Sequence, residues 1–196
     1  MIDHFRRMQM GLMNVIIGAA MVLLVLQWPR LTTWADYGLF LSTMVVLTHW
    51  HYGTTFVLFH LGPTISLNKG LLDSSVCFIL LGVPLSVNHP AAWFILSGSS
   101  YAVAWIKYRR TCLEDYPPDV RDYIKRKSWV EVTAVAGSLV GALWSWKLPD
   151  SAWVAAWSAF ILNIGAILFL VSIWRLYEVG WEAKAPSVTA SGKSRQ

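Results

Sequence analysis

The sequence predicts an all-α, polytopic integral membrane protein, a six-transmembrane-helix bundle with both termini in the cytoplasm (N-in/C-in). Of its 196 residues 56% are hydrophobic and only 14% are charged, whereas an average soluble domain is roughly a quarter charged. The apolar residues stand in long blocks, and the basic residues gather in alternate connections between those blocks. These observations exclude a disordered chain, a nucleic-acid-binding domain and an ordinary water-soluble enzyme.

Six apolar blocks are the candidate membrane spans. A bilayer core about 30 Å thick needs about 20 helical residues, and blocks of about 17–25 residues suffice. The predicted spans are residues 10–26, 37–59, 71–87, 91–106, 129–146 and 152–174. The third and fourth blocks are short, and the sequence Asn88-His89-Pro90 between them is typical of a tight turn. Together the spans predict one transmembrane domain over residues 1–181.

The first block also has the outline of a signal peptide, because Arg6 and Arg7 precede its apolar run. It has no convincing small-residue cleavage site before Pro29. We therefore interpret it as a retained first helix.

The basic residues predict the orientation, because cytoplasmic loops of helical membrane proteins are rich in Lys and Arg. With the N-terminus inside, all 16 Lys and Arg residues except Arg30 and Lys147 lie on the cytoplasmic side. An odd number of spans would destroy this asymmetry. We therefore expect a multi-pass protein of the bacterial inner (plasma) membrane, whose partner is the lipid bilayer. The basic cytoplasmic loops account for the net charge of +5, and no nucleic-acid partner is predicted.

The largest hydrophilic segment is the predicted cytoplasmic loop 107–128. Pro117 and Pro118 end any helix that continues from the fourth span. From Asp119 onward the pattern predicts a short amphipathic helix lying against anionic headgroups. The tail, residues 182–196, lacks apolar periodicity and is predicted to be disordered.

Polar side chains at membrane depth are the candidate functional residues, because each is costly in lipid unless it is paired or hydrated. Near the bilayer centre the spans place a polar layer made of His49, His51, Asn163, Ser97 and Ser99. A histidine at this depth can titrate near neutral pH. The alternative is hydrogen bonding between helices, which is favoured for the serines and Asn163. For the two histidines function and packing both stay open.

A metal or haem site at His49 and His51 is an alternative that the helix geometry disfavours. Residues two apart lie about 200° apart around a regular helix, so the two rings cannot share one ion. Zinc usually takes four ligands, and we expect no carboxylate at the same depth, since Glu131 is interpreted as an interfacial charge that begins the fifth span. No cofactor and no catalytic or metal-ligating residue is therefore predicted.

Two further pairs of residues are candidate sites. His60 at the end of the second span and Asp73 at the start of the third are predicted to meet at the cytoplasmic mouth of the bundle. Gly137 and Gly141 form a small-xxx-small pattern that lets two helices approach closely. That packing serves either the monomer or a homo-oligomer.

Three classes of function fit these features. We favour a small transporter or channel-like protein, forming an oligomer, whose polar layer contacts a proton, a cation or a small polar solute. The alternative is a structural or accessory subunit of a larger membrane complex. A membrane-embedded enzyme using the cytoplasmic loop is the third class, and it is disfavoured because His89 lies on the opposite side of the membrane. A water-accessible cavity that reaches His49 or His51 is expected of the first class.

Overall fold

The computed structural model is all-α, as the sequence predicts. It describes the backbone of residues 2–60, 67–109 and 118–184. Side chains are described for residues 11–51, 75–107, 109, 118 and 121–173. The chain is 94% helical with no strand in these ranges, which confirms the all-α part of the predicted fold class.

Six helices make up the described ranges, and two short 3-10 turns, Trp28–Arg30 and Pro149–Ser151, connect the first to the second and the fifth to the sixth. The predicted spans fall on these helices in order. The third prediction runs past the helix end at Leu85, because the Ser86 N–H bonds the Val83 carbonyl and closes the chain into a turn. The helices are α1 (Ile2–Gln27), α2 (Trp34–His60), α3 (Leu67–Leu85), α4 (Pro90–Arg109), α5 (Pro118–Lys147) and α6 (Ala152–Lys184).

The start of α2 is fixed by a reciprocal cap. The buried Asp36 carboxylate accepts hydrogen bonds from the N–H groups of Thr32 and Thr33, at 2.9 and 2.8 Å. In return the Asp36 N–H donates to Thr33 Oγ1 at 3.2 Å. Such a cap satisfies N–H groups that a helix start leaves free, and it sets the register of the helix that carries His49.

The helices form a ring in which the chain order is interleaved. Going round it, α1 packs against α3, α3 against α4, α4 against α5, α5 against α6, α6 against α2, and α2 against α1. A weaker contact runs across the ring between α2 and α4. The buried apolar core includes Leu24, Leu39, Val46, Leu47, Leu80, Val83, Val87, Trp93 and Phe94.

Close approaches between helices depend on small residues. A Cβ added to Gly141 would lie 2.5 Å from the Phe94 ring of α4, and one added to Gly98 would lie 2.8 Å from the Ser138 Cβ of α5. Gly137, by contrast, is exposed and has nothing within 4 Å of such a Cβ. The tight contact between α4 and α5 therefore uses Gly98 and Gly141, and not the predicted pair of Gly137 and Gly141.

The segment from residue 118 to 128 is helical, as predicted, but it is not a separate short helix. It is the beginning of α5, which runs unbroken to Lys147, since no Gly or Pro stands between Asp119 and Ala136. Tyr123 is buried against Leu170 and Ile173 of α6 and does not lie on a headgroup surface. Of the predicted tail, residues 182–184 belong to α6. Residues 110–117 and 185–196 lie outside the described ranges.

Two helical segments of the described chain are long and apolar enough to cross a membrane. They are Gly11–Arg30 and Pro149–Ile173, with mean hydropathies of 2.0 and 2.2. Their length and composition support membrane association.

Candidate functional site: a buried polar cluster

Four helices bring five polar side chains together in the interior. His49 comes from α2, Tyr101 from α4, Lys127 and Glu131 from α5, and Asn163 from α6; we call this set the His49 cluster. His49 is 6% exposed and Glu131 only 1%, and Tyr101 and Lys127 are buried as well. Asn163 is half-buried.

Glu131 is the centre of the cluster. Its Oε1 lies 3.5 Å from His49 Nε2 and 3.9 Å from Lys127 Nζ, so two basic groups approach the same carboxylate oxygen. Lys127 stands one helical turn before Glu131 on α5 and therefore shares its face. Within the described part of the chain, His49 Nε2 and Glu131 Oε2 make no hydrogen bond.

Tyr101 connects the ionisable groups to α6. Its hydroxyl donates a hydrogen bond to Asn163 Oδ1 at 3.0 Å. The His49 and Tyr101 rings pack edge to face, with their centroids 5.9 Å apart. Trp50 stacks on Tyr101 with centroids 6.4 Å apart. The tyrosine ring is thus held between aromatic neighbours from α2.

Helix geometry explains why His49 and Glu131 lie at the same level. Trp34 at the start of α2 and Lys147 at the end of α5 lie at one end of the bundle, where the Trp157 indole of α6 donates to the Trp34 carbonyl at 3.1 Å. At a rise of 1.5 Å per residue, His49 and Glu131 each lie about 22–24 Å from that end.

The placement of Glu131 corrects two expectations. The carboxylate does not stand at the start of a helix, because it is buried between helices well inside α5, and a carboxylate does share the level of His49. The signal that reveals it is the buried stripe of α5, which recurs every three to four residues or their multiples. Its members are Ile124, Lys127, Glu131, Ser138, Gly141 and Ser145. Dividing α5 into a loop and a span at residue 129 hides this stripe.

Burial shifts the pKa values of Lys127 and Tyr123. Both residues lie outside the predicted span 129–146, on the side of Glu131 that is farther from Trp34. Burial lowers the pKa of Lys127 below its ordinary value, against the opposing effect of the Glu131 carboxylate, and Lys107 lowers it further. Burial raises the pKa of the Tyr123 hydroxyl above its usual range, and Glu131 adds to that increase. Burial therefore acts against the charged form of each side chain.

The remaining members of the predicted polar layer lie apart from this cluster or bond within their own helix. His51 is exposed and lines a groove of about 290 Å³ with Asn14, Ile17 and Met21 of α1 and Leu47 and Thr48 of α2. Ser99 donates to the Ile95 carbonyl one turn earlier at 2.7 Å. Ser97 is buried, and its carbonyl accepts a hydrogen bond from the Ser100 hydroxyl.

Two other predictions concern the cytoplasmic mouth and metal binding. The side chains of His60 and Asp73, the predicted cytoplasmic mouth, lie outside the described residues. Among the described side chains, no group of three His, Cys, Asp or Glu residues is placed to hold a metal ion.

No protein family, curated protein or solved structure that was compared matches this chain. The chemistry of the His49 cluster therefore carries the functional assignment.

Proposed function

We propose that this protein is a six-span membrane transporter or channel-like protein, in which the His49 cluster contacts a proton, a cation or a small polar solute. One observation carries this proposal: His49 Nε2 and Lys127 Nζ both approach Glu131 Oε1 inside the helix bundle. Removing an ion from water costs several kcal/mol even after the protein relaxes. Ionisable groups at membrane depth typically mark ion or substrate pathways.

The exposed surface supports a lipid environment for helices other than the two long apolar ones. Large apolar side chains face outward on several of these helices, including Phe78 on α3, Ile95 on α4 and Leu139 on α5. Lipid removes the cost of exposing such side chains, whereas water does not. The six helices then cross the membrane with Arg30, Lys147 and Asp150 on the outer side.

The cluster also extends along the bundle axis, as a transport pathway requires. On α5, Lys127 lies about 6 Å further from Lys147 than Glu131 does. The hydrogen bond between Tyr101 and Asn163 adds polar groups next to His49 on α4 and α6. Polar and ionisable groups therefore follow one another from the interior towards the basic side.

A flux measurement tests the proposal. The purified full-length chain is reconstituted into liposomes, and uptake of protons, Na⁺, K⁺ and small polar solutes is followed separately. We expect flux of at least one of them in the wild type and its loss in His49→Ala. His89→Ala is the matched control, because His89 is exposed in the turn before α4 and should leave flux unchanged. Absence of every flux from folded protein would refute the proposal.

An accessory subunit of a larger membrane complex is the second candidate, and the groove between α1 and α2 favours it. The groove is lined mainly by apolar side chains but also presents Asn14, Thr48 and His51. Polar side chains on a lipid-facing surface are suited to hydrogen bonds with a neighbouring transmembrane helix. In that case the folded protein shows no flux, and His49→Ala lowers only its stability.

A further inference from the structure

Resting on the proposed function, we infer that the cargo of the His49 cluster is the proton, which exchanges between Lys127 and His49 through the shared carboxylate of Glu131. The inference has three parts: the charge balance of the cluster, the positions of its basic nitrogens, and the path of the proton.

The charge balance follows from the presence of two bases and one acid. With both bases neutral and Glu131 ionised, the three groups carry one negative charge. One added proton makes the set neutral whether it resides on Lys127, on Glu131 or on His49. Because an uncompensated charge in a low-dielectric interior is strongly unfavourable, these three neutral arrangements are the stable ones. They differ only in where the proton sits.

The positions of the basic nitrogens disfavour a metal cation. A cation bound to Glu131 Oε1 would have to share it with Lys127 Nζ and His49 Nε2, which lie 3.9 and 3.5 Å away. An ammonium group has only donors and cannot ligate a cation. Hard cations prefer several oxygen ligands, whereas this oxygen has nitrogen neighbours on two sides.

The groove among the described residues does not bring a small polar solute to the cluster. The groove of about 290 Å³ is lined by residues of α1 and α2, and none of its lining residues belongs to the His49 cluster. A proton needs no such volume, because it moves along hydrogen bonds between side chains.

The path consists of two proton transfers. In the first, an N–H bond of Lys127 breaks and an O–H bond forms at Glu131 Oε1. In the second, that O–H bond breaks and an N–H bond forms at His49 Nε2, which makes no hydrogen bond to the described residues. Charge-assisted N–H···O bonds are about 2.7–2.9 Å long, so Lys127 Nζ approaches by about 1.0–1.2 Å and His49 Nε2 by about 0.6–0.8 Å during transfer. No electron transfer and no further reactant are involved.

The other ionisable groups around the cluster set its pH response. Lys107 of α4 lowers the proton affinity of Lys127, and Tyr101 of α4 and Tyr123 of α5 lie in the field of Glu131. The neighbouring group from α6 is Asn163, which does not titrate. On α2 itself, His51 lies on the groove about 200° away from His49.

Proton flux into liposomes that contain a pH-sensitive dye tests the inference, with a K⁺ diffusion potential as the driving force. We expect His49→Gln and Glu131→Gln to reduce the initial rate by at least about tenfold, since positioned acids and bases contribute rate factors of that size or larger. The matched controls are His89→Gln and Asp122→Asn. Asp122 is a half-exposed carboxylate on the same helix, 2.9 Å from Arg126.

A third variant separates proton transfer from a structural role. Lys127→Arg keeps a positive charge next to Glu131 but does not release its proton, so the first transfer is blocked while the charge balance is kept. We expect the initial rate of proton flux to fall by at least about tenfold in this variant. Circular dichroism and elution as a single species establish that each variant is folded.

Three results would overturn the inference. Proton flux at the wild-type rate in folded His49→Gln or Glu131→Gln would remove the cluster from the path. Na⁺, K⁺ or solute flux without proton movement would show a different cargo and leave the proposed function intact. Absence of every flux from the folded wild type would overturn the inference and the proposed function together.

Discussion

Tyr101 joins α4 to α6 by donating its hydroxyl hydrogen to Asn163 Oδ1 at 3.0 Å. The two helices are the neighbours of α5 on either side of the ring. Their bond therefore closes over the inward face of α5, next to the level of Glu131. This one contact connects the packing of three helices to the arrangement of the ionisable groups.

We expect Tyr101→Phe to destabilise the protein by about 1 kcal/mol, the usual net value of one interhelical or buried hydrogen bond. The phenyl ring retains the contacts with His49 and Trp50. Unfolding in mixed detergent measures the effect, and Tyr37→Phe at an exposed tyrosine is the control. A double-mutant cycle with Asn163→Ala should give a coupling energy near the whole effect. A coupling energy of zero would contradict the bond.

A second buried bond runs from Trp93 Nε1 to Thr43 Oγ1 at 2.7 Å and connects α4 to α2. Thr43→Val keeps the side-chain shape but leaves the indole N–H without its acceptor, at a cost of about 1–3 kcal/mol. Thr48→Val is the control, because the Thr48 hydroxyl bonds the Met44 carbonyl of its own helix. Equal unfolding free energies for the two variants would be evidence against this assignment.

Glu131→Gln removes the charge next to the buried Lys127 ammonium, and we expect a loss of about 3–5 kcal/mol. Replacing Lys127 by Met in the same chain should restore part of that stability, since the buried ammonium is then removed together with the carboxylate charge. Asp122→Asn should cost less than about 1 kcal/mol, because the ion pair with Arg126 is half-exposed. A Glu131→Gln chain as stable as wild type would mean that this ion pair contributes nothing to folding.

Gly141→Ala should destabilise the bundle by about 1–3 kcal/mol through overpacking, because the new Cβ would lie 2.5 Å from the Phe94 ring. Gly137→Ala is the matched control, four residues away on the same helix. It meets open space and should be neutral or slightly stabilising, since alanine favours helix. Thermal unfolding of the two variants measures the difference, and a reversed order would place the helix contact on the other glycine.

The proposed six spans predict which face of the membrane each connection occupies. With Cys77 and Cys112 replaced by serine, Asp150→Cys and His89→Cys should react with a membrane-impermeant maleimide from the outer face. Epitope tags at the two chain ends should be accessible only from the inner face. Labelling of Asp150→Cys and His89→Cys from opposite faces would contradict the six-span topology.

Hydrophobic patterning predicts the helices well because burial in lipid or protein acts on each segment separately. Span 152–174 begins where α6 begins, at Ala152, and Pro90 marks the start of α4. Hydrophobic patterning predicts helix boundaries less well where a polar sequence continues a helix. The charged residues from Asp119 to Lys127 resemble a loop by composition, but they contain no residue that breaks α5.

The candidate site is only partly predictable for a related reason. His49 and Asn163 are conspicuous because their spans are largely apolar. Glu131, by contrast, resembles an ordinary surface charge because four basic residues lie within the ten positions before it. Its pairing with His49 depends on which face of α5 points inward and on the ring order of the helices. Neither property is encoded in local hydrophobicity.

The interleaved ring also constrains biosynthesis. Because α2 packs between α1 and α6, the small-residue surface that Gly38 and Ser42 present to Ala156 has no native cover until the sixth helix has left the ribosome. His49 likewise cannot contact Glu131 until the fifth helix has been synthesised. Nascent chains halted after the fourth helix should therefore bind chaperones of the insertion machinery, and release should coincide with synthesis of the last hairpin.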